Sequence, residues 1–110
     1  MPLDRLPTAM WVSATIRRLS VEAVPAMVVH KGEGGSGILV VKLNLLDGTA
    51  KVLTESRDMD GGLGWMAPLG EDPMPEEKAD AYLSRSADRD PDIWVIEIED
   101  KSGRNPFAET

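Results

Sequence analysis

Three groups of residues in this sequence have types and spacings that chemistry uses. In Lys31-Gly32-Glu33-Gly34-Gly35-Ser36-Gly37, the glycines at 32, 34 and 37 spell the Gly-x-Gly-x-x-Gly fingerprint of a dinucleotide site. Such a loop needs a helix N-terminus behind it to hold the phosphates. Here the run that follows is strand-like, and the chain has neither a kinase catalytic loop nor the length to house one. The segment therefore reads as a flexible hairpin loop with no nucleotide at Gly32–Gly37. Asp88, Asp90 and Asp92, with Glu99 eleven positions after the first, trace the outline of a calcium loop. Ile93 stands where that loop requires glycine, Pro91 stiffens its middle, and Ile93 to Glu99 alternates as a strand. These acids read as the end of a helix and the start of a strand. His30 is the only histidine, so no histidine pair exists to build a zinc or iron site. It ends a strand-like run with no carboxylate partner fixed by spacing, and no serine sits in a nucleophile elbow. No metal, cofactor or catalytic residue is expected.

Two further constellations remain. Trp65 lies among Gly61, Gly62 and Gly64, where it is either an interface anchor or a plug folded back onto the core. Arg17 and Arg18 form the best local basic pair and complete the candidate interface. A ligand pocket would have to be assembled in space from the 56–72 loop and the 88–92 segment, with Asp60, Asp90, Asp92 and Arg85 as candidate groups.

The elements that position these residues follow from periodicity. Val12, Ile16, Leu19 and Ala23 recur as one helical stripe from about Thr8, and Pro25 ends it. Ala26–His30 is a short β-rich run, and Ile38–Leu45 and Ala50–Glu55 flank Asp47-Gly48. That dipeptide predicts a two-residue hairpin with both residues at positive φ, so Leu45 faces Ala50, Leu43 faces Val52 and Val41 faces Thr54. Trp65–Leu69 is a short edge strand limited by Pro68. Pro75-Glu76-Glu77 opens a second helix with an inward stripe of Ala79, Tyr82, Leu83 and Ser86. Ile93–Glu99 is the closing strand. The predicted fold is α+β: one domain over residues 1–110, a mainly antiparallel sheet of four to five strands with two helices packed on it. Its inner face is Leu39, Val41, Leu43, Val52, Trp94, Ile96 and Ile98, covered by Val12, Ile16, Leu19, Tyr82 and Leu83. The lead-in 1–7 and the tail 102–110 read as poorly ordered.

Composition narrows the function. Residues 1–55 carry 6 basic and 5 acidic side chains, whereas residues 56–110 carry 6 and 14. The acidic second half repels phosphate backbones, so nucleic acid is not an expected partner. The chain has no cysteine and no apolar run long enough for a signal peptide or membrane span, which makes the cytoplasm the expected compartment.

Several strings are familiar together: Trp11-Val12-Ser13-Ala14 with Arg17-Arg18, Leu46-Asp47-Gly48-Thr49-Ala50, and Gly61-Gly62 before Trp65. Ala79-Asp80-Ala81-Tyr82-Leu83 with Arg85 follows, and then Asp90-Pro91-Asp92-Ile93-Trp94-Val95-Ile96-Glu97-Ile98-Glu99-Asp100. Over roughly residues 11–101 their order resembles a family of small alphaproteobacterial proteins of unknown function. The resemblance implies a bacterial cytosolic setting and no catalytic residue. The expected function is a non-enzymatic protein-interaction or self-associating module, with a protein partner or a second copy and no membrane. The alternative is a small enzyme or ligand-binding domain built on the carboxylate and arginine pocket.

Overall fold

The computed structural model describes residues 5–109. Helix α1 (Thr8–Val21) is followed by strands β1 (Ala26–His30), β2 (Leu39–Asn44), β3 (Thr49–Arg57) and β4 (Leu63–Met66). The two-residue strand β5 (Met74–Pro75), helix α2 (Glu76–Arg89), strand β6 (Trp94–Glu99) and a 3₁₀ turn (Pro106–Glu109) complete the chain. The sheet runs β1-β6-β2-β3-β4, with β5 against the start of β3. Among the described residues only β2 and β6 pair in parallel, and the other pairings are antiparallel. A parallel pair needs a crossover, and α2 lies in it.

The two helices cover opposite faces of the sheet. Leu39, Val41 and Leu43 of β2 and Trp94, Ile96 and Ile98 of β6 pack with Trp11, Val12 and Leu19 of α1. Val40, Val52 and Val95 pack with Ala79 and Leu83 of α2. The five residues Leu39–Leu43 are all buried, as the central strands of a sheet with both faces covered must be. The expectation that one inner face collects both helical stripes is therefore corrected: Tyr82 and Leu83 belong to the second core.

Val52 changes face because the hairpin differs from the two-residue turn. The observed pairs are Asn44 with Ala50, Leu43 with Lys51, Lys42 with Val52 and Val41 with Leu53. Leu45 N–H donates to the Thr49 carbonyl (3.0 Å), so the loop is Leu46-Asp47-Gly48. Leu46 and Gly48 adopt positive φ and Asp47 does not. Two side chains hold the third residue in. The Asn44 side-chain oxygen accepts from Leu46 N–H (2.9 Å), and the Asp47 carboxylate accepts from both the backbone and the hydroxyl of Thr49. One extra loop residue slides β3 by one position and exchanges its faces.

Helix α1 ends before Pro25. Ala23 adopts φ 60°, and Val24 N–H reaches back to the Leu19 carbonyl (2.9 Å), which closes the last turn. A left-handed residue with a Cβ costs about 1–2 kcal/mol. Ala23 is exposed, so nothing offsets that cost. Ala23→Gly is expected to raise stability by about 0.5–1 kcal/mol, the entropy of the unfolded glycine cancelling part of the gain. A urea midpoint no higher than wild type would contradict this.

The ends of the chain carry more structure than their polarity suggests. Arg5 forms a two-point ion pair with Glu55 (2.9 and 3.0 Å) and stacks over Trp11, 5.0 Å from its ring centre. Phe107 is buried and meets Trp11 edge-on at 5.3 Å. Residues 1–4, within the predicted lead-in, lie outside the described residues.

Candidate functional site

The glycine segment crosses rather than turns back. Strands β1 and β2 are not neighbours, because β6 lies between them, so the segment passes over the first residues of β6. Glu33 N–H donates to the Asp92 carbonyl (2.9 Å), and the Trp94 indole donates to the Glu33 carbonyl (2.8 Å). The carbonyls of Gly35 and Gly34 accept from Thr8 and Ala9, the first two N–H groups of α1. The segment therefore caps a helix with its carbonyls instead of offering N–H groups to a phosphate. Its exposed amides are also engaged: Gly35 and Ser36 donate to the Glu33 carboxylate. Those hydrogen bonds hold the Glu33 carboxyl below its usual range. The flexible-hairpin expectation is corrected to a pinned crossing.

A cleft of about 530 Å³ lies between α2 and the β1–β6–β2 side of the sheet. Lys42 forms its floor, 2% exposed in the middle of β2. The register places Lys42 beside Glu97 on the α2 face. Residues four apart share one side of a helix, which brings Glu76 and Asp80 over the same point. The Lys42 ammonium donates to Glu76 and Asp80, both at 2.7 Å, and lies 3.3 Å from Glu97. Asn44 ties Glu76 (3.2 Å) to Glu97 (3.0 Å). Burial pulls the lysine pKa down. The hydrogen bonds to Asp80 and Glu76 and the fields of Glu97 and Asp80 outweigh it, and the pKa ends above its ordinary value. With its three donors facing carboxylates, Lys42 is locked as a cation and is no nucleophile.

The cleft mouth holds Val29 and His30 on one side and Asp88 on the other. The His30 ring lies 3.0 Å from the Pro91 carbonyl through Nε2. A carbonyl only accepts, so Nε2 is the donor in this contact. Among the described residues no three acids or histidines gather as a metal site.

The sequence-derived candidates do not converge. Asp60 is exposed in the 58–62 turn, its N–H donating to Asp58 (2.9 Å). Arg85 is exposed on α2. Asp90 follows the helix end and accepts from Asp92 N–H (3.1 Å), which places the acids as helix stop and strand start. Asp90 lines a shallow depression of about 200 Å³ with Tyr82 and Arg89, to which Asp60, Arg85 and Asp92 do not contribute. Within the 88–92 segment Arg89 and Asp90 line this depression, with Thr54 of β3 beside them. Arg17 is exposed, whereas Arg18 turns inward and donates to the Pro106 carbonyl (2.8 Å), so the pair is split. Trp65 is half-buried in β4, its ring centre 6.1 Å from that of Trp11. Trp65→Ala is expected to cost about 2 kcal/mol, less than a fully buried tryptophan. Unchanged thermal stability would return Trp65 to the role of interface anchor.

The cleft residues Lys42, Asn44, Asp80 and Glu97 were not singled out from the sequence. The available signal was a lysine inside an otherwise apolar run, with Glu76 and Asp80 one helical turn apart.

Fold and site together define a class: a small domain with one mixed sheet between two helices, and a cleft whose only ammonium is neutralised by three acids. The chain belongs to the DUF1491 family, proteins of unknown function, which it matches over residues 6–108. It is similar to a DUF1491 family protein from Caulobacter crescentus CB15. The crystal structure of that protein is 41% identical, with 94% of each chain covered and a TM-score of 0.81. The NMR structure from the same organism is 40% identical, covers 96% of this chain and 94% of that one, and gives a TM-score of 0.79. A solution structure of a protein from A. tumefaciens is 30% identical over 86% of each chain, with a TM-score of 0.70. These sources accord with the alphaproteobacterial resemblance. No curated protein matches the chain. Among the described residues no helix is long and apolar enough to cross a membrane.

Proposed function

We propose that this chain is a non-enzymatic, cytoplasmic interaction module that docks an extended protein segment along β1. One observation carries the reading: β1 is an edge strand whose Met27, Val28 and Val29 are 47%, 43% and 55% exposed. Exposed apolar edges invite strand addition, and proteins leave them bare where pairing has a use. The paired state of Lys42 supports the non-enzymatic part. Nucleic acid and membrane are not partners in this reading. A photo-crosslinking residue at position 27 is expected to capture a protein in cells, and Val28→Pro, folded by circular dichroism, is expected to lose it. The same residue at position 72 should capture nothing. Equal adducts at both positions would remove the reading.

The competing ligand-pocket reading draws on the cleft volume, which is within the range of small-molecule sites. A thermal-shift panel of nucleotides, divalent cations and metabolites separates the two. A stabilising small molecule would favour the pocket.

A further inference from the structure

We infer that the segment docked on β1 is a basic one, its strand adding to the sheet edge and a lysine or arginine side chain entering the cleft beside it. This rests on the docking reading above and names the chemistry of the partner. Pro25 accepts a hydrogen bond from Glu99 (3.0 Å), and Ala26 and Val28 pair with Ile98 and Ile96. In an antiparallel ladder, bonded and non-bonded pairs alternate, so Ala26 and Val28 turn their own N–H and C=O groups away from β6. No described strand lies on that side. The register then shifts between Val28 and His30. This bulge ends the regular edge and places Val29 and His30 at the mouth of the cleft. A strand laid along Ala26–Val28 would carry its following side chains toward that mouth.

Charge selects the occupant. Four carboxylates (Glu76, Asp80, Asp88 and Glu97) line the cleft against the single ammonium of Lys42. A cation entering there meets a negative surplus in a partly enclosed space, where the interaction is stronger than on open surface. The same surplus disfavours a second copy. Two copies joined antiparallel through β1 are related by an axis perpendicular to the sheet, which sets the two acidic clefts side by side on one face. Like charges so placed repel.

The probes are short blocked peptides alternating valine with lysine, with glutamate or with threonine, and a lysine–valine peptide interrupted by proline. The readout is the backbone amide shifts of isotope-labelled protein. The lysine peptide is expected to move Ala26–His30, to weaken as salt rises, and to bind about two- to fivefold more weakly to Asp88→Asn, the loss for one exposed ion pair. The glutamate and proline peptides should leave β1 unmoved. Equal binding of the threonine or glutamate peptide overturns the basic partner and leaves the docking reading standing. Silence of β1 toward all four peptides overturns both. Equal binding of the proline peptide overturns strand addition. Concentration-dependent broadening of the β1 amides without any peptide overturns the choice of a foreign partner over a second copy.

Discussion

Gly32→Ala is expected to cost about 3 kcal/mol, the upper end of the usual range for overpacking and a large share of a domain's ordinary stability. A Cβ on Gly32 would overlap the backbone carbonyl oxygens of Asp92 and Ile93. Those atoms belong to the entrance of a central strand, held on both sides, and cannot step back as a flexible side chain would. Gly37→Ala should behave similarly, because its Cβ would overlap the carbonyls of Asp92 and Glu33 and press on the Trp94 ring at 3.1 Å. Gly34→Ala separates this explanation from the fingerprint. Its Cβ would stand 3.5 Å from that of Ala9, an ordinary contact, and stability should stay within about 0.5 kcal/mol of wild type. In a dinucleotide loop the middle glycine is the one the pyrophosphate approaches. A Gly34→Ala variant as unstable as Gly32→Ala would sink the crossing-loop account. So would a Gly32→Ala variant that melts like wild type. Denaturant midpoints of the three variants decide between them.

The same segment shows where sequence reading stops. Its glycines announce a need for small residues, but not whether the close neighbour is a ligand or the chain's own backbone. That neighbour is β6, sixty residues away in sequence, and only strand order reveals it. Periodicity placed both helices and strands β1, β2, β3 and β6, since the apolar positions of α1 and the proline and acids before α2 are local signals. The edge strand expected at Trp65–Leu69 lies instead at Leu63–Met66, and the two-residue β5 had no pattern to announce it. The hairpin shows a different limit. Asp47-Gly48 marks the turn, but the loop length is set by side-chain hydrogen bonds, from Leu46 N–H to Asn44 and from Thr49 to the Asp47 carboxylate. The one-residue slip that follows moves Val52 from one core to the other. Face assignments inherit every error in register, which is how a slip of one residue merges two cores into one.

The site was less legible than the fold because its parts are ordinary one at a time. Lys42 alternates in β2 as a surface residue would, Glu76 complements a helix N-terminus, and Glu97 alternates outward in β6. Their meeting needs the parallel pairing of β2 with β6 and the placement of α2 over that face, neither of which any local pattern encodes. Segments 56–72 and 88–92 attract a pocket reading through their acidic side chains. Exposed acids mark turns more often than sites, as Asp58 and Asp90 do by accepting from nearby backbone N–H groups.

Lys42→Met is expected to destabilise the domain by about 3 kcal/mol, the lower end of the range for breaking a buried ion pair. Methionine fills the space of the lysine stem, so the loss reports charge rather than packing. Of the three carboxylates left behind, Asp80 and Glu76 have side chains 55% and 37% exposed and keep much of their hydration. Glu97 is only 15% exposed and bears the penalty. Adding Glu97→Gln to Lys42→Met should therefore restore stability by about 1–2 kcal/mol, although Glu97→Gln alone removes a favourable partner and destabilises; the two changes are coupled. The pH dependence carries the sign of a raised lysine pKa. The stabilisation from Lys42 is complete below the ordinary value of 10.5 and is lost as pH rises through the higher folded value. The gap between wild type and Lys42→Met should thus be constant from neutral pH to about pH 10 and shrink only in stronger alkali. A gap that narrows between pH 7 and 9 would mean the lysine is poised to lose its proton. The cleft would then hold a reactive amine, and the non-enzymatic reading would fall with it.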